Sequence, residues 1–429
     1  MGRNDKNGAG PKIWHRHRDS ILLALSIFLW SMGLGMYNFI WPVYVKELGG
    51  SAVDLGLLLS LSGLVVTISA IPGGLWADRY DRKWVLVVGW AIGVPAPLLF
   101  ILARNWVALV AGVFFYAFSA VSNPALQAYI VHSAPAENLA ATFNLIFAAF
   151  PLGLVITPPI GSALATRYGM HAAFWAALVL YILSTLVLFG LTPQRAAAAS
   201  AGAKTAPQAL SDRRLIFLSF IFAAAMGVQS IGLPFATPFL QDVAHTDLAT
   251  IGRLGSVASL SGFLLSPLIG RFADRQGATL AMALSMAVFA FSLGAMAAYP
   301  TSLAIIYLSF ALRGSADGAR GLMTSLVGRA IGKERLGQGY GIYNLIIGFV
   351  GLATPYLGGW LYQVGPAWPF WATAILTIVF LWPVIGVGQA LAPPPASDPD
   401  LLPAAGPEIP GHGGGAEDPV QEHADPGAR

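Results

Sequence analysis

"GGLWADRYDRKWVL" (residues 73–86) gathers five ionised side chains, Asp78, Arg79, Asp81, Arg82 and Lys83, in a chain of which 56% is hydrophobic and only 10% charged. Charge taken out of water is costly unless it is paired, so this stretch belongs at a polar boundary. On both sides of it the chain runs apolar for about 20 residues, the length at which a helix crosses a hydrocarbon layer of about 30 Å. Some 196 residues later "GRFADRQGATLAM" (270–282) repeats the pattern. Ala77-Asp78-Arg79 aligns with Ala273-Asp274-Arg275, Gly74 with Gly270, Gly56 with Gly252 and Pro42 with Pro238. With the offset drifting to between 196 and 200, "TPPIGS" at 157 matches "TPYLGG" at 354, "FNLI" at 143 matches "YNLI" at 343, and Phe174-Trp175 matches Phe370-Trp371. Landmarks shared at one period indicate a duplicated unit.

Working outward, apolar runs separated by Gly, Pro or charge give twelve membrane-spanning candidates, six in each half. They start near Ile21, Val53, Trp84, Trp106, Leu139, Ala172, Leu215, Thr250, Thr279, Ser302, Gln338 and Trp368. The predicted class is an all-α membrane protein of twelve transmembrane helices in two pseudo-symmetric six-helix bundles. The expected divisions are a basic tail over 1–19, bundles over 20–191 and 214–391, a linker over 192–213 that lacks large apolar residues, and a Pro-, Gly- and acid-rich tail over 392–429. The first apolar segment is too long, and too polar in its second half, for a cleaved signal peptide.

Seventeen Lys and Arg fall on the side that carries the N-terminus, against Lys46, Arg104, Arg167 and Arg253 on the other. By the positive-inside rule both termini are expected in the cytoplasm, and the chain in the cell membrane as a multi-pass protein. Basic residues spread over many short loops exclude a nucleic-acid stripe. The chain has no cysteine, which excludes disulfides, thiolate metal sites and cysteine nucleophiles. No phosphate-cradling Gly-x-x-x-x-Gly-Lys-Ser/Thr loop is present, so ATP does not drive this chain directly. No metal, cofactor or enzymatic activity is expected.

The chain resembles the major facilitator superfamily over roughly residues 20–390. The family's loop pattern, Gly-x-x-x-Asp-Arg-x-Gly-Arg-Arg/Lys, is met by Gly74, Asp78, Arg79, Arg82 and Lys83, with Asp81 where glycine is usual. "GLVITPPIGS" (153–162) is similar to the helix-5 motif of the family's drug:proton antiporters through Gly153, Pro158 and Gly161, with Thr157 and Ser162 replacing glycines. The resemblance implies two halves that rock about a central cavity lined by helices 1, 4, 7 and 10. Gly74 should let helix 2 approach a neighbour closely. Asp78, at a helix terminus of the opposite half, and Arg79 and Arg82, against acids, would latch the cytoplasmic side. Asp274 and Arg275 form a weaker second copy.

Polar residues on the four cavity helices share faces. Arg313, Asp317, Arg320 and Thr324 fall at i, i+4, i+7 and i+11, and Tyr116, Asn123 and Gln127 at i, i+7 and i+11. An offset of 197 superposes the two stripes; helix 1 adds Tyr37 and Asn38, and helix 7 adds Gln229. Ions inside a membrane normally face a cavity and mark a pathway. Asp317 is read as the only acid deep within a helix, which makes it the candidate proton carrier. The expected function is secondary active transport of a small organic solute by alternating access, as proton-coupled efflux by a monomer in the bilayer. The alternatives are uptake or exchange of an organic anion, and a transporter-fold sensor or channel without coupling.

Overall fold

The computed structural model describes residues 10–133, 139–195, 213–330 and 336–391, and all regular structure among them is helical. The expectations for the 196–212 part of the linker, the first nine residues and the tail from 392 lie outside the described residues. Helices 1 to 6 are Gly10–Tyr37, Ala52–Arg79, Arg82–Leu102, Trp106–Ser133, Leu139–Tyr168 and Met170–Leu188. Helices 7 to 9 are Ile216–Asp242, Leu248–Gln276 and Ala278–Ala298. Helix 10 comes in two pieces, Leu303–Leu312 and Ser315–Ala330, and is followed by helix 11, Leu336–Val364, and helix 12, Trp368–Leu391. Among the described residues eleven helices are long and apolar enough to cross a membrane. Helix 10 is the twelfth; its break, and the charges of Arg313, Asp317 and Arg320, set it apart from the others.

The repeat recurs in the caps. Helix 2 starts on a capping box in which the Asp54 amide donates to the Ser51 Oγ at 3.3 Å and the Ser51 amide to the Asp54 carboxylate at 2.8 Å. At the matching start of helix 8, Asp247 accepts from the Thr250 amide at 3.2 Å.

Packing between the halves carries the duplication into three dimensions. A Cβ on Gly56 would collide with the Pro355 carbonyl, and one on Gly252 with the carbonyl of Pro158 and with Ser162. Gly56 and Gly252 are repeat mates, as are Pro158 and Pro355, so helix 2 crosses helix 11 and helix 8 crosses helix 5 in reciprocal fashion. Small residues at these crossings let backbones touch where no apolar solvent contrast drives helices together. The Ser256 Oγ adds a hydrogen bond of 2.5 Å to the Val155 carbonyl across the same interface.

Within the halves, Gly161 lies on the Met36 carbonyl and Gly153 on the Phe28 carbonyl and Ser31, while Gly358, the mate of Gly161, lies on the Ile231 carbonyl. The "GLVITPPIGS" segment is thus a hub, with its glycines on helix 1 and its Pro158-to-Ser162 edge on helix 8.

Helix 1 begins at Gly10, so Asp19 sits inside it and is 4% exposed. Its carboxylate lies 2.7 Å from the Tyr129 hydroxyl and accepts from the Thr192 amide and hydroxyl at 3.3 Å. Asp317 is therefore not the only acid within a helix. The sequence reading put Asp19 in the tail because the charged residues Arg16, Arg18 and Asp19 precede the apolar run, although the helix continues through them.

Candidate functional site

Helix 10 breaks where helix 8 comes closest to it. Gly314 lies against the backbone of Ser261 and Gly262, where any side chain would collide. There the Ser261 hydroxyl donates to the Ala311 carbonyl at 2.5 Å and accepts from the Gly314 amide at 3.0 Å. One hydroxyl therefore satisfies two backbone groups in the turn that interrupts the helix, as buried backbone requires. Broken helices of this kind mark binding sites in transporters built from repeats.

The break presents Arg313, Asp317 and Arg320. The Arg313 guanidinium carbon sits 5.8 Å from the ring of Phe39, in the first half, and 5.6 Å from Phe310, in the second. Asp317 pairs with Arg320 at 3.6 Å, and Arg320 reaches the Gln229 Oε1 at 3.4 Å, while the Gln229 Nε2 is buried without a hydrogen-bond partner among the described residues. Arg313 and Asp317 line a cavity of about 870 Å³ between the halves, faced from the first half by Asn38, Phe39, Asn144 and Phe150.

Helix 4 is irregular at the equivalent level. Ser119–Ser122 is a tight 3₁₀ turn in which the Ser119 hydroxyl donates to the Tyr116 carbonyl at 2.6 Å and the Ser122 hydroxyl to the Ser119 carbonyl at 2.7 Å. Beside it a cavity of about 460 Å³ is walled by Trp30, Trp90, Tyr116, Asn123, Phe147 and Phe150. Trp30 stacks on Tyr181 at 4.2 Å and on Tyr116 at 6.2 Å. Phe150 and Pro151 border both cavities, so the aromatic compartment and the charged one share a wall.

The expected pathway residues divide. Asn38, Arg313 and Asp317 meet at the larger cavity, and Tyr116 and Asn123 at the smaller. Gln229 joins through Arg320; Gln127 is exposed one turn beyond Asn123 on the same face, and the Thr324 hydroxyl donates to the Arg320 carbonyl at 3.0 Å. Tyr37 faces the other way: its hydroxyl lies 2.9 Å from that of Tyr181, and its ring packs on Phe100 and Phe174 in the core of the first half. The sequence reading passed over Trp30, Phe39, Trp90, Asn144 and Phe150, along with the helix-8 stripe of Ser259, Gly262 and Ser266, whose i, i+3, i+7 spacing was the available signal.

The two ends of the bundle differ. At the end opposite the basic loops, Lys46 pairs with Asp242 across the halves, and the Tyr362 hydroxyl donates to the same carboxylate at 3.0 Å. At the basic end Asp78, Arg79, Asp274 and Arg275 are exposed with no hydrogen bond or ion pair among the described residues, and Gly74 and Gly270 have open space within 4 Å. It is Gly73 that packs closely, on the Val121 carbonyl of helix 4.

Asp81 and Arg82 serve the first half instead. Asp81 caps helix 3, accepting from the Lys83 amide at 2.9 Å and the Gln194 amide at 3.1 Å, while Arg82 bonds the Gln194 side chain at 3.1 Å. Lys83 lies over the Trp84 ring at 5.7 Å. The aspartate found where glycine is usual is thus a helix cap.

A curated relative, an uncharacterized MFS-type transporter of Methanocaldococcus jannaschii, is 23% identical over 346 residues, 77% of this chain and 87% of its own length. The quinolone resistance protein NorA of Staphylococcus aureus is 26% identical over 176 residues, 40% of this chain and 45% of its own. The crystal structure of the nucleoside transporter NupG superposes with a TM-score of 0.70 over 87% of this chain and 98% of its own, at 15% identity, a likeness of fold alone. The sequence profile of the Major Facilitator Superfamily matches residues 23–252 and again 218–407. Matched twice and along most of its length, with two six-helix halves closed at one end over a central cavity, the chain belongs to the Major Facilitator Superfamily of membrane transporters.

Proposed function

We propose that this protein is a secondary active transporter that exports a small organic solute across the cytoplasmic membrane by alternating access, in exchange for protons. The observation that carries the reading is the asymmetry of the two ends: a cross-half lock of Lys46, Asp242 and Tyr362 at one, exposed Asp78, Arg79, Asp274 and Arg275 without partners among the described residues at the other, and charged side chains between them. The basic end is the cytoplasmic one by the positive-inside rule, with both termini there, so this is the inward-facing state. The partial likeness to a quinolone resistance protein supports export as the direction. In the outward-facing state the basic end closes and Asp78 and Arg79 find partners in the opposite half. The protein works as a monomer, since each half supplies a wall of the cavity.

A thermal-shift screen against cations, sugars, amino acids and organic anions identifies the solute, because a ligand at a hundred times its dissociation constant stabilises by about 2.7 kcal/mol. Transport is then followed in proteoliposomes under an imposed pH gradient. Asp78→Asn is expected to leave insertion and ligand binding intact while lowering flux about tenfold, the effect of roughly 1.4 kcal/mol lost from the outward-facing state. Wild-type flux in a well-folded Asp78→Asn protein removes the latch role.

A further inference from the structure

We propose that the central site takes an amphipathic organic anion, with an aromatic body in the compartment walled by Trp30, Trp90 and Tyr116 and a carboxylate or sulfonate on Arg313, a proposal that rests on the transporter reading above. Three observations converge on it. Arg313 carries a charge at the break in helix 10, on the cavity between the halves, yet has no hydrogen bond and no ion pair among the described residues. Its ring contacts with Phe39 and Phe310 hold the guanidinium in place and leave its five N–H donors, whose fork matches a carboxylate, for a ligand.

Asp317 is within Coulombic reach of Arg313 but makes its direct ion pair elsewhere. Asp317 pairs with Arg320, and Arg320 is further engaged by Gln229. A cation without a direct ion pair in a membrane is expensive, and an anionic ligand group offsets that cost. Among the described residues Asp317, paired with Arg320, is the one acidic side chain that lines either cavity, and it is set against the cation of Arg313, which has no ion pair there.

The adjoining compartment supplies the apolar half of the recognition. At about 460 Å³ it has the size of a drug-binding pocket, and the hydroxyls of Ser119 and Ser122 in its wall donate to backbone carbonyls. Its polar capacity is small, and its tryptophan and tyrosine rings suit a flat aromatic body. Phe150 and Pro151, common to both cavities, set the point where the body of the ligand meets its charged group.

The test compares three probes of one shape on the purified full-length protein by titration calorimetry: 2-naphthoate, the uncharged 2-naphthamide and the cationic 2-naphthylmethylammonium. Naphthoate is expected to bind at least tenfold more tightly than the amide, with the ammonium weakest. Arg313→Gln should bring acid and amide to equal affinity, Arg313→Lys should keep most of the preference, and Tyr116→Leu should weaken both by the same factor. The proposal is overturned if the ammonium equals or exceeds the acid, if Arg313→Gln keeps the ratio, or if naphthoate fails to bind at millimolar concentration. The wild-type ranking decides even if a variant does not fold. Because these are binding measurements, a cation preference would refute the substrate class and leave alternating access standing, whereas transport that survives the cross-link in the experiment below would refute alternating access and leave the binding preference untouched.

Discussion

Asp317→Asn is expected to separate transport from its driving force. In proteoliposomes the variant should exchange internal for external substrate at close to the wild-type rate, yet accumulate nothing when a pH gradient is imposed. Asp317 is about half exposed to the central cavity and pairs with Arg320 at 3.6 Å, while Arg313 is engaged by Phe39 and Phe310. The proposed coupling has Asp317 exchange that partner for a proton when the Arg320 side chain, one turn along the same helix, swings fully to Gln229, since loss of a nearby cation favours the neutral form. One proton crossing about 100 mV supplies roughly 2.3 kcal/mol, enough for a solute gradient of about fiftyfold. Asparagine keeps the shape and cannot titrate, so that gradient should collapse to unity. Undiminished pH-driven accumulation would leave Asp317 as an ion-pair strut.

Gly56→Leu should expel the protein from the state seen in this structure, which the proposed orientation makes the inward-facing one. The obstacle is the Pro355 carbonyl, backbone inside helix 11, which cannot swing aside as a flexible side chain would. Overpacking of this kind costs about 1–3 kcal/mol, or roughly five- to 150-fold in the population ratio. Gly252→Leu, against the Pro158 carbonyl, should act the same way, because the two crossings are repeat mates. The absence of native cysteine makes the readout clean. Asn38→Cys lines the central cavity, so a membrane-impermeant thiol reagent added outside should label it at least about fivefold faster in the Gly56→Leu background. Gly63→Ala is the control, since its Cβ would approach only the Gly351 carbonyl, at 3.8 Å. Equal labelling in all three backgrounds would show that the crossing does not control the state.

Much of this architecture was legible because duplication writes it twice. The alignment of Gly56 with Gly252 and of Pro158 with Pro355 needed no structure, and together these four residues form the reciprocal crossings. The charges of helix 10 were legible too, because ions are rare in apolar helices. The aromatic compartment was not: Trp30, Trp90, Phe39 and Phe150 lie in helices where an aromatic residue faces lipid, core or cavity with equal ease. Periodicity assigns a residue to a face and does not say what covers that face, which is why Tyr37 was placed on the pathway although it packs in the core. Gly73 and Gly74 differ by one position and hence by about 100° around helix 2, enough to put one on helix 4 and leave the other open. Asp81 stood out only as a departure from the loop pattern, because its bond to the Gln194 amide, more than a hundred residues away, is not visible in sequence.

Alternating access is tested most directly at the lock opposite the basic loops. With K46C and D242C introduced into this cysteine-free chain, a short reversible bifunctional thiol reagent should tie the halves together at the end that must open to release substrate. The account predicts that transport falls to background in proportion to the cross-linked fraction, returns on reduction, and is unaffected by the reagent in either single variant. Fully cross-linked protein that still transports at the uncross-linked rate would contradict it.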